Sequence, residues 1–94
     1  MYNHEFTHDE ISVIYNYLSG ACEDVKELHY CYEPKELCYS FILRMKDDFT
    51  FELCIYDEDM FRMINPVNNI IFNFLTLLKR ANYIERDYFN AIRR

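Results

Sequence analysis

From Leu28 to Ile55 apolar side chains fall on every second position in three runs: Leu28, Tyr30 and Tyr32; then Leu37, Tyr39, Phe41, Leu43 and Met45; then Phe49, Phe51, Leu53 and Ile55. A period of two puts each set on one face of a pleated sheet, so the stretch is constrained to three strands sharing an apolar side. Pro34 in YEPKEL suits the second position of a type I turn. It predicts a first hairpin with a loop of about four residues, which keeps Tyr30 beside Tyr39.

Parity decides the second connection. A two-residue turn at Asp47-Asp48 would set Met45 opposite Thr50 and send half of each strand's apolar set to the wrong face. A three-residue loop, Lys46-Asp47-Asp48, with Asp48 in the left-handed conformation and a bulge, instead pairs Met45 with Phe49, Leu43 with Phe51 and Phe41 with Leu53. Phe49, Phe51, Leu53 and Ile55 are then the core-facing half of the third strand.

Helical signals flank the strands. In FTHDEISVIYNYLSG, Thr7 and Glu10 form a capping box, Phe6 can staple onto Ile11, and Gly20 supplies a left-handed exit. Ile11, Ile14, Tyr15 and Leu18 share one face. After the strands, YDEDMFRMIN predicts a short helical turn starting at Asp57. Asn65 then caps and Pro66 opens a longer helix whose stripe is Val67, Ile70, Ile71, Phe74, Leu75, Leu78 and Ala81. Phe72 and Leu77 lie off that stripe. A last segment, with Asn82 and Glu85 as a cap signature and Ile84, Tyr88 and Ile92 at helical spacing, is expected to cover them.

The predicted fold is α+β: an N-terminal helix, a three-stranded antiparallel meander and two or three C-terminal helices packed on one face of the sheet. Residues 1–94 form a single domain. At 94 residues and 51% hydrophobic composition the chain can bury one core and is too apolar for a disordered segment. Its apolar runs are too short to span a bilayer, and MYNHEFTHDE lacks the marks of a signal peptide, so the expected location is cytoplasmic. There Cys22, Cys31, Cys38 and Cys54 are expected as reduced thiols, and their spacings contain no CxxC motif.

The net charge of −6 is unevenly spread: residues 1–60 carry 14 acidic against four basic side chains, and residues 61–94 carry two against six. Such an acidic body repels nucleic acid at long range and attracts basic surfaces, besides serving solubility. Direct nucleic-acid binding is therefore not expected. The element order is similar to that of double-stranded RNA-binding domains, but the basic, Gly-containing start of their last helix is replaced here by NPVNNII.

On the other sheet face the expected register aligns His29, Ser40 and Cys54 in one row and Cys31, Cys38 and Tyr56 in the next, with Ile42 nearby. Three thiols and an imidazole on one flat surface lack the converging elements of a structural zinc site. A Cys31–Cys38 disulfide is geometrically open but disfavoured by the compartment. No metal or cofactor is expected. The same face, with His29, Cys31, Cys38, Ile42, Cys54 and Tyr56, is a candidate interface for a homodimer or another partner. No GxGxxG, P-loop, GxSxG or HExxH motif occurs, and no group is evident to orient His29 as a base for Cys31, so no enzyme is expected.

The acidic segments KDDF and YDEDM, with Glu23, Asp24 and Glu27 upstream, and the order of elements resemble small phage-encoded inhibitors of bacterial defence. Examples of such inhibitors are anti-CRISPR proteins with a three-stranded sheet and flanking helices. The resemblance implies that carboxylates stand in for DNA phosphates and occupy a basic nucleic-acid channel on a host protein. The leading functional expectation is thus a non-enzymatic inhibitor presenting Asp47, Asp48, Glu52, Asp57, Glu58 and Asp59 to a basic partner. The alternative is a homo-oligomeric adaptor or regulator using the Cys/Tyr/Ile face, and a third class, ranked after both, is a metal-binding protein.

Overall fold

A computed structural model of the chain describes residues 6–84. The order of elements is α1 (His8–Ala21), β1 (Val25–Glu33), β2 (Cys38–Met45), β3 (Thr50–Tyr56), α2 (Asp57–Arg62) and α3 (Pro66–Arg80). The three strands form one antiparallel sheet in the order β1-β2-β3. The architecture is therefore α+β, with one helix before the sheet and helices after it. The expected last helix and its residues Glu85, Tyr88 and Ile92 lie outside the described residues.

Local signals set the helix starts. Thr7 Oγ1 accepts from the Glu10 amide at 3.1 Å while Glu10 Oε1 accepts from the Thr7 amide at 2.9 Å, which closes the capping box. Asn65 Oδ1 accepts from the Asn68 amide and Pro66 occupies the first turn of α3. The exit of α1 departs from expectation. Gly20 remains helical, and the chain leaves through Cys22 in an extended conformation whose N–H bonds the Leu18 carbonyl.

The second hairpin has the register that parity demands. Phe41 faces Leu53 and Leu43 faces Phe51, while Arg44, not Met45, faces Thr50. Asp48 has φ 70°, its amide bonds the Met45 carbonyl at 2.9 Å, and the Met45 amide bonds the Phe49 carbonyl at 2.8 Å. Asp47 Oδ1 also accepts from the Phe49 amide, bracing the same turn.

The first hairpin is shifted from expectation by two residues. The loop is 34–37, so Glu33 pairs with Cys38 and Tyr30 with Phe41 rather than with Tyr39. Leu37, expected in the strand, instead takes φ 53° in the turn, where its carbonyl accepts the Asp57 amide. A two-residue shift preserves parity, so Tyr30 and Tyr39 still share a face, as diagonal neighbours with ring centroids 6.4 Å apart. At the other end of β1 a bulge between Val25 and Glu27 leaves Lys26 without a cross-strand partner. The extra residue lets Val25 and Leu28, an odd number of positions apart, both join the core.

One buried cluster joins Ile14 and Leu18 of α1, alternate β2 positions Tyr39, Phe41, Leu43 and Met45, and Ile70, Phe74 and Leu78 of α3. Phe6, just ahead of α1, sets its ring edge-on to Tyr30, Tyr39 and Phe41 at 5.2–5.9 Å, a geometry that aligns ring edges with π faces. Two expected core positions are corrected. Phe49 lies against Phe51 at 5.0 Å but stays 52% exposed because it stands at the hairpin tip, and Ala81 is exposed just past the end of α3. Phe72 is also exposed, whereas Leu77 is half-buried against the core.

Candidate functional site

The outer face of the sheet is built from the side chains that alternate with the core set. Its rows, in the observed register, are Glu27, Arg44 and Thr50; His29, Ile42 and Glu52; Cys31, Ser40 and Cys54; Glu33, Cys38 and Tyr56. The two-residue shift of β1 therefore separates His29 from Ser40 and Cys31 from Cys38. The β2–β3 half of each expected row stands, with Ser40 opposite Cys54 and Cys38 opposite Tyr56.

Much of this face is internally paired. His29 Nε2 lies 2.7 Å from Glu27 Oε1, and an Arg44 guanidinium nitrogen lies 3.6 Å from the same oxygen. The hydrogen bond from His29, reinforced by the charges of His29 and Arg44, holds the Glu27 carboxyl below its ordinary value. Ser40 Oγ donates to Glu52 Oε2 at 3.2 Å. The His29 ring is thus engaged by Glu27, and the Cys31 thiol by Glu33 Oε1 at 3.5 Å. Partial desolvation and the Glu33 carboxylate push the Cys31 thiol up, the opposite of what an activated nucleophile needs. Among the described residues no three His, Cys, Asp or Glu side chains are grouped so as to hold a metal ion.

The six acids singled out from the sequence fall in two places, with Glu52 between them. Asp47 and Asp48 lie in the β2–β3 turn, and Asp57, Glu58 and Asp59 form the first turn of α2. The seven residues of β3 separate the groups by about 23 Å at the usual strand rise. Three of the six also accept internal hydrogen bonds: Asp47 Oδ2 from Tyr83 Oη at 2.8 Å, Glu52 from Ser40, and Asp57 Oδ2 from Tyr32 Oη at 2.8 Å. Asp57 Oδ1 is buried with no hydrogen-bond partner among the described residues. The carboxylate of Asp57 raises the Tyr32 phenol to about 12, since ionising it would place two anions in contact.

Around the second acidic group the fold assembles a surface that sequence spacing does not reveal. The bond from the Asp57 amide to the Leu37 carbonyl draws the β1–β2 turn against the start of α2. A shallow cleft of about 270 Å³ results, lined by Glu36, Leu37, Tyr56, Asp57 and Glu58. A neighbouring depression adds Phe61 and Arg62. Leu37, Tyr56 and Phe61 are 43%, 52% and 67% exposed, so apolar surface sits directly among carboxylates.

Comparison with family models, curated proteins and solved structures finds no match to this chain.

Glu36 and Leu37 of the cleft and Phe61 of the depression beside it were missed as site residues because each belongs to a different local feature. Glu36 and Leu37 read as a turn and a strand start, and Phe61 as part of a short helix. Only Tyr56 and the 57–59 acids carried a signal in the sequence. No helix among the described residues is long and apolar enough to cross a membrane.

Proposed function

We propose that the chain is a non-enzymatic binding protein that docks a basic protein partner against the end of its sheet. The carrying observation is the cleft that sets Leu37 and Tyr56 beside Glu36, Asp57 and Glu58, with Phe61 in the adjoining depression. Exposed aromatic and aliphatic groups supply the area whose burial drives association, and surrounding carboxylates steer a partner of opposite charge. Neither ingredient alone would be informative, since acids also serve solubility and single exposed apolar residues are ordinary.

In this reading α1 and α3 form a second layer over the Tyr39-Phe41-Leu43 face, leaving the outer face and the sheet's end to the partner. The buried cluster shared by those helices and alternate β2 positions supports that arrangement. The partner class is a nucleic-acid-binding host protein in the cytoplasm, and the biological role is that of an anti-CRISPR-like inhibitor from a phage or mobile element. Glu36 and Glu58, which line the cleft, serve as the principal charged contacts, whereas Asp59 lines a separate depression toward α3. Asp47, Asp48 and Glu52 add long-range field.

The test is a partner captured at low salt and then titrated against purified protein. Affinity is expected to fall at least tenfold between about 50 mM and about 300 mM salt, as screening shortens the reach of the charges. The combined Glu36→Gln and Glu58→Gln variant should weaken binding comparably with its circular dichroism unchanged. A complex indifferent to both salt and these substitutions overturns the proposal.

A second reading, self-association through the outer face, is favoured by the exposure of Tyr56 and Cys54 beside half-buried Ile42. Sedimentation at micromolar concentration would then show a dimer that Tyr56→Arg dissociates. A monomeric wild-type chain removes this reading.

A further inference from the structure

Cys38 and Cys54 are diagonal neighbours on adjacent strands, Cys38 opposite Tyr56 and Cys54 opposite Ser40. Their sulfurs lie 3.2 Å apart, sharing an S–H···S contact. The two thiols differ sharply in access. Cys38 is only 1% exposed, whereas Cys54 faces solvent on the edge strand. Cys31, the third thiol of this face, lies across Ser40 from Cys54, about two strand spacings or roughly 9.5 Å away, beyond the reach of a disulfide.

From this geometry we propose that Cys38 and Cys54 form a reversible thiol–disulfide couple, oxidised by exchange with a low-molecular-weight disulfide.

The division of labour follows from access. The exposed Cys54 sulfur, as its thiolate, attacks one sulfur of the small disulfide. The small molecule's S–S bond breaks, a mixed disulfide forms on Cys54, and one small thiolate leaves and takes up a proton. Cys38 then gives its proton to water, attacks the Cys54 sulfur and expels the second small thiolate. In sum the protein loses two protons and two electrons, and the small disulfide becomes two thiols. Cys38 suits the second role. It is buried with its sulfur 3.2 Å from that of Cys54, so it meets only a sulfur already held beside it; in the reduced pair the contact with Cys54, then burial and the charges of Cys54, Glu36 and Glu33, raise its thiol to about 11.

Diagonal cross-strand positions, about 7–8 Å apart, lie just beyond the Cα separation that a disulfide spans without backbone movement. Closing the bond from 3.2 Å therefore requires the strands to shift locally. A bond formed under such strain is readily reduced, which makes the couple reversible.

The test treats the full chain with oxidised glutathione under anaerobic conditions, followed by thiol titration and peptide mapping by mass spectrometry. Wild type and Cys31→Ser should each lose two thiols and yield one linked pair of peptides containing Cys38 and Cys54, reversed by dithiothreitol. Cys38→Ser and Cys38→Ala should instead hold glutathione on Cys54, and Cys54→Ser should form neither product. The circular dichroism of each variant identifies any that fails to fold, and the mapping of wild type stands without them. The proposal is overturned if wild type keeps glutathione on Cys54, links Cys31, links only between molecules, or does not react.

Discussion

Tyr83, in the turn after α3, donates its hydroxyl to Asp47 Oδ2 at 2.8 Å, joining residues 36 positions apart in the chain. The bond ties the β2–β3 hairpin tip to the segment following α3, and the Tyr83 ring packs edge-on to Phe51 at 5.7 Å. An acid that sequence alone places on a solvated turn thus helps to hold the tertiary structure.

The pH dependence of this contact has a defined direction. The hydrogen bonds from Tyr83 and the Phe49 amide hold the Asp47 carboxyl below its ordinary value, and the Asp47 carboxylate raises the Tyr83 phenol to about 12. Asp47 therefore contributes stability above its unfolded-state pKa, about 3.9, and loses it as pH falls through the lower folded value. The raised Tyr83 value contributes below about 10 and is lost as pH rises through about 12. Tyr83→Phe should lower the thermal midpoint at pH 7, and the gap from wild type should close in acid once Asp47 is protonated. Melting curves across that range check it; a gap that persists unchanged in acid would assign the effect to packing alone.

Tyr32→Phe should loosen α2 more than it perturbs the sheet. It removes the donor to Asp57 Oδ2 while Oδ1 already lacks a partner among the described residues, leaving the carboxylate at the start of a six-residue helix poorly satisfied. Hydrogen exchange should quicken in α2 and at the Asp57 amide while β2 amides keep their protection. Uniform acceleration over the whole chain would contradict a local effect.

Asp48→Gly should stabilise the protein by about 0.5–1 kcal/mol, because a non-glycine residue pays for its left-handed conformation. The observed φ of 70° puts Asp48 in that region. Asp48→Val should destabilise by at least about 1 kcal/mol, since a β-branched side chain is a steric outlier there. Urea titration distinguishes these signs, and equal stability of the two variants would refute the turn assignment.

Phe41→Ala and Phe49→Ala form a contrasting pair. Phe41 is fully buried and should cost about 3–5 kcal/mol on truncation, whereas Phe49, half-exposed at the hairpin tip, should cost about 1 kcal/mol or less. Comparable losses would mean that the tip is covered in solution.

These contrasts separate what was legible in the sequence from what was not. The Thr7–Glu10 box, the Asn65–Pro66 start and the three-residue 46–48 turn each depend on groups within a few residues, so residue type and spacing suffice. The first hairpin offered no such constraint. Two registers differing by two residues keep the same faces, and Leu37 looks like a strand residue until the Asp57 amide binds its carbonyl. The Lys26 bulge escaped for a related reason, because periodicity treats the odd spacing of Val25 and Leu28 as a break and not as one inserted residue.

The same division governs the candidate site. The sequence by itself determined an acidic body, three strands with one apolar face, and helices on either side of them in the chain, because hydrophobic periodicity and capping are local properties. Only the tertiary structure decided that Asp47, Glu52 and Asp57 are bound from within, that Glu36, Leu37 and Tyr56 meet at one cleft beside the depression holding Phe61, and that Cys38 rather than Cys31 touches Cys54. Those outcomes turn on strand register and on hydrogen bonds between distant segments, whose partners no local pattern can specify.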